Sequence, residues 1–208
     1  MQILAEDVQE ELAYWKSSVY CFILGANPPW DVVEGFIRRI WANYPIDKVS
    51  FLPDGIFLVR FKNAADKEVI LKQGHFLFDN KPLIVRSWHE NVVLTMENVM
   101  NVPVWVKLLD LPLKFWGKSF PKIAGLLGKF LRCDAATEDK TRLGFARVLL
   151  EVPFGKSLPG SVKFLDEDSH IVKVLVECEW KPVTCTICGG TGHESAQCRK
   201  PGTKKSKP

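Results

Sequence analysis

The sequence predicts an α+β protein in which two small α+β units precede a short cysteine-rich segment. Over residues 18–90, apolar strands and amphipathic helices alternate in the order β-α-β-β-α-β. A second, shorter run of strands around one helix occupies residues 103–181. Between Cys185 and Cys198, four side chains of the metal-binding type stand in a stretch too short to bury a core.

In the first unit, residues typical of turns and helix ends mark the boundaries of the predicted elements. Pro28 and Pro29 suit the start of a helix, the Asp54-Gly55 pair suits a hairpin turn, and Gly74 suits the end of a second helix. The predicted strands are residues 19–24, 46–51, 56–61 and 83–88, and the predicted helices are residues 30–44 and 63–73. This order is that of ferredoxin-like folds, which include the RNA-recognition motif.

The third predicted strand lacks the aromatic pair with which an RNA-recognition motif stacks bases. Strand alternation points Phe57, Val59 and Phe61 toward the helices, and Ile56, Leu58 and Arg60 to the opposite face. Ile56 and Leu58 stand where the RNA-binding signature has aromatic residues. On the first strand, Tyr20 or Phe22 is the remaining aromatic, depending on register. We hypothesise that residues 103–180, rather than RNA, cover this face.

The rest of the chain divides into five further segments. Residues 1–17 predict a short helix with Val8, Leu12 and Trp15 at helical spacing, and residues 91–102 predict a linker. The second unit is predicted as β-α-β-β-β, with strands 104–109, 146–152, 162–165 and 171–179 and a helix over residues 120–131. Its acidic run, residues 166–168, indicates a hairpin turn rather than a two-metal site. Residues 182–199 form the cysteine-rich segment, and residues 200–208 are predicted to be a disordered basic tail.

Positive charge is concentrated at the C-terminal end. Residues 181–208 hold six basic residues and one acidic residue, a net charge of +5, whereas the other 180 residues hold 22 basic and 23 acidic residues, a net charge of −1. A near-neutral body with a basic segment indicates local contact with a polyanion. The alternative is a solvated tail that binds nothing.

The chain is predicted to be intracellular, in the nucleus or the cytoplasm, and not to enter a membrane. Residues 1–11 carry acids where a secretory leader would be basic. No apolar run approaches the roughly 18 residues that cross a bilayer. Thiols stay reduced inside cells, so clustered cysteines indicate a metal rather than disulfides.

Four residues predict a structural zinc site. Cys185, Cys188, His193 and Cys198 follow the spacing Cys-x2-Cys-x4-His-x4-Cys, known as a CCHC zinc knuckle. Three thiolates and one imidazole form a closed tetrahedral set for Zn²⁺, which leaves no position for water or substrate. Such a short loop gains its fold largely from metal binding. The other cysteines, Cys21, Cys133 and Cys178, stand singly and are predicted to be small hydrophobic residues.

Zinc knuckles usually grip unpaired nucleotides, so the partner predicted for this segment is RNA or single-stranded DNA. The predicted contacts are Trp180, Lys181, Ile187, Arg199, Lys200, Lys204 and Lys205. Ile187 lies between the first two ligands and is not aromatic, so it offers no stacking ring there. Trp180 either stacks with a base or packs at the end of a strand.

Several stretches of the chain resemble one plant family. They are Gly-Ala-Asn-Pro-Pro at 25–29, Val-Glu-Gly-Phe-Ile at 33–37, the run 54–61, Pro-Val-Trp-Val at 103–106 with Leu111-Pro112, and Glu-Trp-Lys-Pro at 179–182 before the knuckle. The family joins a domain of unknown function to a CCHC zinc knuckle and is related to the first-reading-frame protein of plant LINE-type retrotransposons. The resemblance implies zinc and nucleic-acid binding, with the four ligands named above, and a retrotransposon origin.

The sequence therefore predicts a nucleic-acid-binding protein of low sequence specificity, with no small-molecule substrate. The alternative is an adapter whose knuckle and basic tail hold a partner protein. An enzyme is not expected, because residues 125–129 are too short for a phosphate-binding loop and lack its Ser or Thr after the lysine. Neither His-Glu-x-x-His nor Gly-x-Ser-x-Gly occurs in the chain.

Overall fold

Two five-stranded sheets organise the chain in the computed structural model, which describes residues 2–96 and 99–198. Contacts divide the chain into two units, Met1–Phe78 with Pro82–Asn98, and Asp79–Lys81 with Val99–Pro208. No helix in the described ranges has the length and apolar character needed to traverse a lipid bilayer.

The first unit has the predicted β-α-β-β-α-β order with one additional strand. Its helices are α1 (Ala5–Trp15), α2 (Trp30–Ile40) and α3 (Ala64–Gln73), and its strands are β1 (Ser18–Ile23), β2 (Ile46–Phe51), β3 (Phe57–Phe61), β4 (Phe76–Phe78) and β5 (Lys81–Ser87). The sheet order is β2-β3-β1-β5-β4. The ferredoxin-like α+β class is confirmed. The short strand β4 was not predicted; Asp79 and Asn80, with φ of 46° and 61°, turn the chain from it into β5.

One face of the first sheet packs against α2 and α3. Phe57, Val59 and Phe61 lie in the same buried cluster as Val19, Cys21 and Ile23 of β1, as the alternation predicts. From the helices, Val33, Ile37, Trp41 and Ile70 complete this cluster and are fully buried. Burying each aliphatic side chain of this size contributes about 1.5–3 kcal/mol.

The opposite face carries Tyr20 and Leu58, which face each other across β1 and β3. Phe22, two residues along β1, points the same way, so the register places both first-strand aromatics on this face. Beside them, the guanidinium of Arg60 lies 3.7 Å from the centre of the Tyr14 ring of α1 and pairs with Asp47. The third strand therefore presents aliphatic side chains and one arginine where stacking aromatics would be expected. The hypothesis that residues 103–180 cover this face stays a prediction.

The second unit repeats the strand arrangement of the first. Its elements are β6 (Asn101–Leu109), α4 (Phe120–Ala124), β7 (Lys129–Cys133), α5 (Ala135–Glu138), β8 (Phe145–Pro153), β9 (Ser161–Leu165) and β10 (Ile171–Cys178). The sheet order is β7-β8-β6-β10-β9, which is the order of the first sheet when each unit is numbered from its own first strand. Residues 154–160, all described, form no helix where the first unit has α3. The second unit thus has a similar sheet but, within its described residues, lacks a helix that corresponds to α3.

The predicted helix over residues 120–131 is confirmed for its first five residues and wrong for the rest. The helix ends at Ala124, and Lys129–Cys133 forms the strand β7 beside β8. The change of structure occurs at Gly128, where an added Cβ would lie 2.7 Å from the Glu151 carbonyl oxygen. Pairing with a distant strand has overridden the local helical spacing of the apolar residues.

The outer strands of both sheets are irregular or short. The pairing of β2 with β3 shifts register between Ile46 and Lys48, and that of β7 with β8 shifts between Phe130 and Arg132. Strand β4 has three residues, and the exposed Lys163 lies at the centre of β9.

Candidate metal centre

The cysteine-rich segment folds as a small ribbon followed by a turn. Strand β11 (Lys181–Thr184) pairs with β12 (Thr191–Gly192), and a 3-10 turn follows over Ser195–Gln197. Cys185 and Cys188 lie in the connection between the two strands, and His193 follows β12 directly. Gly189 and Gly192 have φ of 69° and 97°, in the left-handed region that glycine adopts at no steric cost. The sequence can therefore reverse twice within a few residues and return His193 to the cysteines.

The four predicted ligands converge. The thiol sulfurs of Cys185, Cys188 and Cys198 and a ring nitrogen of His193 all lie within 4.8 Å of one another. Cys188 Sγ lies 3.5 Å from His193 Nε2. Zinc bonds of about 2.3 Å to sulfur and 2.0–2.1 Å to nitrogen, at tetrahedral angles, require an S–N separation of about 3.5 Å. The donor set and this spacing fit Zn²⁺.

Backbone hydrogen bonds shape the connection between the first two ligands. The Cys185 N–H donates to the Gly190 carbonyl, and the Gly189 N–H donates to the Cys185 carbonyl, both at 2.8 Å. The Gly190 N–H points at Cys188 Sγ from 3.4 Å. Such N–H groups stabilise negative charge on sulfur, which is the form that binds a metal.

The thiol of Cys185 is buried and readily ionised. Burial raises its pKa, but hydrogen bonds from the backbone N–H groups of Cys188 and Ile187 and from the Ser195 hydroxyl act in the opposite direction, and the pKa is lowered to about 6. A thiolate at this position is the ligand form that zinc requires.

Three residues that the sequence did not single out support the ribbon. The Ser195 hydroxyl accepts a hydrogen bond from the Thr186 N–H at 2.9 Å and lies 2.7 Å from the Thr186 hydroxyl. Glu194 pairs with Lys181 at 3.0 Å. The signal available in the sequence was the position of Glu194 and Ser195 between the third and fourth ligands, where polar side chains reach back to the first turn.

The predicted nucleic-acid contacts fall into three groups. Trp180 is 6 % exposed and its indole lies against Gly192, so it packs the ribbon onto the end of β10. Ile187 is 46 % exposed between the first two ligands, and Lys181 is half-buried beside Glu194. Arg199, Lys200, Lys204 and Lys205 lie outside the described residues.

The remaining cysteines differ from the cluster. Burial raises the pKa of the Cys21 thiol to about 12 and that of Cys133 to about 11, the latter aided by Glu138 and Asp134. Burial also raises the pKa of Cys178. Thiols held in this form are poor metal ligands and poor nucleophiles.

The acidic turn at residues 166–168 has a structural role. Asp166, Asp168 and His170 bring ligand atoms together, but Asp166 Oδ1 accepts the backbone N–H groups of Asp168 and His170, at 3.0 and 2.8 Å. Lys114 pairs with the same carboxylate at 3.2 Å. These bonds close the turn between β9 and β10, as the sequence predicted.

Residues 11–96 match the family described as domain of unknown function DUF4283. The DUF4283 match extends from the second half of α1 past the end of β5, and therefore covers the first sheet and ends before β6. It confirms the domain-of-unknown-function part of the resemblance seen in the sequence and does not extend to the knuckle. No curated protein matches the chain.

Solved structures similar to the chain include three with sequence identities of 14–16%. The RNA-binding domain of Hrp1 in complex with RNA is 15% identical, with 65% of this chain and 80% of that chain covered and a TM-score of 0.30. The SXL-lethal protein–RNA complex is 16% identical, with coverage of 78% and 98% and a TM-score of 0.30. The C. elegans NONO-1 homodimer is 14% identical, with coverage of 66% and 50% and a TM-score of 0.31.

Proposed function

We propose that the chain is a zinc-dependent binding protein for RNA or single-stranded DNA, with low sequence specificity. The observation that carries the proposal is the convergence of Cys185, Cys188, His193 and Cys198 within 4.8 Å, in a segment whose net charge is +5. A metal would hold this loop rigid and so present its neighbouring cations to a phosphate chain.

Electrostatics would dominate the binding. Lys181 lies at the start of the ribbon, and five further basic residues follow the last ligand. Such contacts release counterions and discriminate little between sequences. Ile187, exposed at the tip of the loop, adds an apolar contact for an unpaired base rather than a stacking ring. The closed four-ligand set favours a structural zinc and a non-enzymatic role.

Zinc binding is tested by native mass spectrometry of the purified chain. We expect one Zn²⁺ per chain, lost in Cys188→Ser and retained in the matched control Cys178→Ser, whose cysteine lies in β10 away from the cluster. A chain that is metal-free and unchanged by added Zn²⁺ would overturn the proposal.

Nucleic-acid binding is tested by titrating the chain with unstructured RNA and DNA strands across a range of salt concentrations. Replacing Lys204 and Lys205 by Gln should flatten the slope of log affinity against log salt by about 1.4, or 0.7 per lost phosphate contact. The control replaces Lys163 and Lys173, which stand opposite each other on β9 and β10, by Gln and should leave the slope unchanged. A flat response in the unaltered chain contradicts nucleic-acid binding.

The exposure of Ile187 favours one other candidate, an adapter that holds a partner protein at the loop tip. Partner capture from lysate separates the two. Partners that survive nuclease treatment and are lost in Ile187→Glu support the adapter, whereas partners lost with the nucleic acid support the leading proposal.

We also infer that the chain derives from the first-reading-frame protein of a LINE-type retrotransposon and acts inside the cell. The support is the sequence resemblance together with the DUF4283 match. Crosslinking followed by sequencing of the bound RNA should then enrich transcripts that encode the chain itself. An even sample of cellular transcripts would oppose this origin, and cell fractionation tests the location.

A further inference from the structure

The second unit contains a cavity of about 540 Å³ that the metal centre does not use. Its walls come from the segment that leads into α4, from the outer strand β7 and from α5 with the turn that follows it. The lining includes Trp116, Phe120, Phe130, Lys118 and Lys140. Ligand cavities in proteins measure about 300–1,000 Å³, so this one has the size of a small-ligand site.

Aromatic rings form the apolar part of the cavity. Trp116 is buried, and its indole N–H donates to the Leu111 carbonyl at 2.9 Å, which fixes the ring. Phe120 lies beside it, with ring centres 6.2 Å apart. Phe130 is half-buried on β7. Fixed rings at a cavity wall suit a flat aromatic ligand, because stacking then costs little side-chain entropy.

Positive charge surrounds the rings. Lys118, Arg132 and Lys140 line the cavity, against one acidic residue, Glu138. Arg132 lies over the Trp105 ring at 5.3 Å. Among the described residues, Lys118 and Lys140 form no ion pair, and both are exposed. Two lysines of this kind beside an aromatic wall complement a ligand that is both planar and anionic.

We propose that this cavity binds one nucleotide unit, a nucleobase with its 5′-phosphate, independently of the zinc knuckle. The base lies among Trp116, Phe120 and Phe130, and the phosphate faces Lys118 and Lys140. Glu138 at the rim accepts hydrogen bonds, so bases that carry an exocyclic amino group, namely guanine, adenine and cytosine, bind better than uracil. The same unit can come from a free nucleotide or from an unpaired position of a bound strand.

The site is located by protection of Cys133, which lines the cavity. The zinc-loaded chain is alkylated with and without each nucleoside 5′-monophosphate, then digested with trypsin. Cys133 falls in the peptide 133–140. The reference Cys178 falls in the peptide 174–199, where fragmentation in the mass spectrometer separates its label from those on the knuckle cysteines. GMP, AMP and CMP should slow alkylation of Cys133 and leave Cys178 unchanged, and UMP should protect less. Equal labelling of Cys133 in the presence and absence of both the nucleotides and a short single strand overturns the proposal.

Variants test the two parts of the site by equilibrium dialysis with GMP. Replacing Lys118 and Lys140 by Glu should weaken binding about tenfold or more, while the same double replacement at Lys156 and Lys163, outside the cavity, should not. Phe130→Leu keeps the apolar strand residue and should weaken binding of the nucleotide but not of inorganic phosphate. Equal binding of GMP by the charge-reversed chain, with its thermal unfolding unaltered, also overturns the proposal.

Two further measurements distinguish a free nucleotide from a bound strand as the ligand, and distinguish failure of this proposal from failure of the proposed zinc-dependent function. Protection by a short single strand but not by free GMP assigns the cavity to strand binding, and protection by both assigns it to either source. Cys188→Ser should retain protection by GMP. If this variant loses zinc and strand binding but keeps the protection of Cys133 by GMP, both proposals stand. If an acidic aromatic peptide protects Cys133 and GMP does not, the nucleotide assignment is refuted.

Discussion

The indole of Trp180 lies so close to Gly192 that a Cβ at residue 192 would come 2.5 Å from Trp180 Nε1. Gly192 also has φ of 97°. Both the space and the backbone conformation therefore demand glycine at this position. Because Trp180 follows β10 and Gly192 ends β12, this contact joins the ribbon of the metal centre to the second sheet.

The substitution Gly192→Ala should separate the ribbon from Trp180. We expect a cost of about 1–3 kcal/mol from backbone strain and the lost contact, which weakens the apparent zinc affinity about 5- to 150-fold because the loop folds with its metal. Competition with a chelator measures the affinity. Gly190→Ala is the control, since its nearest side-chain atom is Cys188 Sγ at 3.4 Å and its φ is not positive. Equal affinities for both variants would contradict this account.

Lys67 of α3 bridges the segment before β1 and the segment after β5. Its ammonium group is buried and donates to the carbonyls of Lys16 and Trp88, at 2.9 and 3.0 Å, which lie just before β1 and just after β5. Lys67→Met keeps the aliphatic stem and leaves both carbonyls without this donor. We expect a loss of about 1–3 kcal/mol in the free energy of unfolding, measured by urea denaturation. Lys72→Met, at an exposed position of the same helix, should change stability little.

Asp134 makes the stability of the second unit depend on pH. Its burial raises the pKa, but hydrogen bonds from Thr137 and the charge of Arg142 lower it overall. The stabilisation is therefore present above the unfolded pKa of about 4 and is lost as pH falls through the lower folded value.

Asp134→Asn should therefore lower the free energy of unfolding at neutral pH by about 1–2 kcal/mol, which is seen as a lower midpoint of thermal unfolding. The difference from the unaltered chain should shrink as the pH falls below about 4. Asp139→Asn, at an exposed position in the same turn, is the control. A difference that stays constant down to the lowest pH would show that the carboxylate charge is not the cause.

Gly128 allows the chain to pass from α4 into β7. An added Cβ would meet both the Glu151 carbonyl oxygen and Val152 Cγ1 at 2.7 Å, and backbone cannot give way easily. We expect Gly128→Ala to cost about 1–3 kcal/mol by overpacking, seen as a lower midpoint of thermal unfolding. Gly117→Ala meets nothing within 4 Å and should be nearly neutral. A neutral Gly128→Ala would argue against the pairing of β7 with β8 described above.

The sequence was informative where the structure is local. The spacing of Cys185 to Cys198 was sufficient to group the four ligands, because one metal fixes a single short loop. The alternation of Phe57, Val59 and Phe61 assigned their face, and Gly74 marked the end of α3, where its φ is 70°. Each of these depends on neighbours within a few residues.

Features that depend on distant partners were missed. Strand β7 exists because residues 129–133 pair with β8, and their helical spacing gave no sign of it. The cavity lined by Trp116 and Phe130 depends on the same strand lying beside α4. The packing of Trp180 at the end of a strand was one of the two alternatives that the sequence offered, but its contact with Gly192 requires the ribbon to fold back, which periodicity does not encode.

The outer strands carry a consequence for the protein at high concentration. A long regular strand at the rim of a sheet exposes unpaired N–H and C=O groups that recruit further copies and seed fibres. In the ranges that the structure describes, β2 and β7 are bulged, β4 is three residues long and β9 has a lysine at its centre. Each rim thus interrupts the template that intermolecular sheet growth requires, which disfavours the addition of a further copy at these edges.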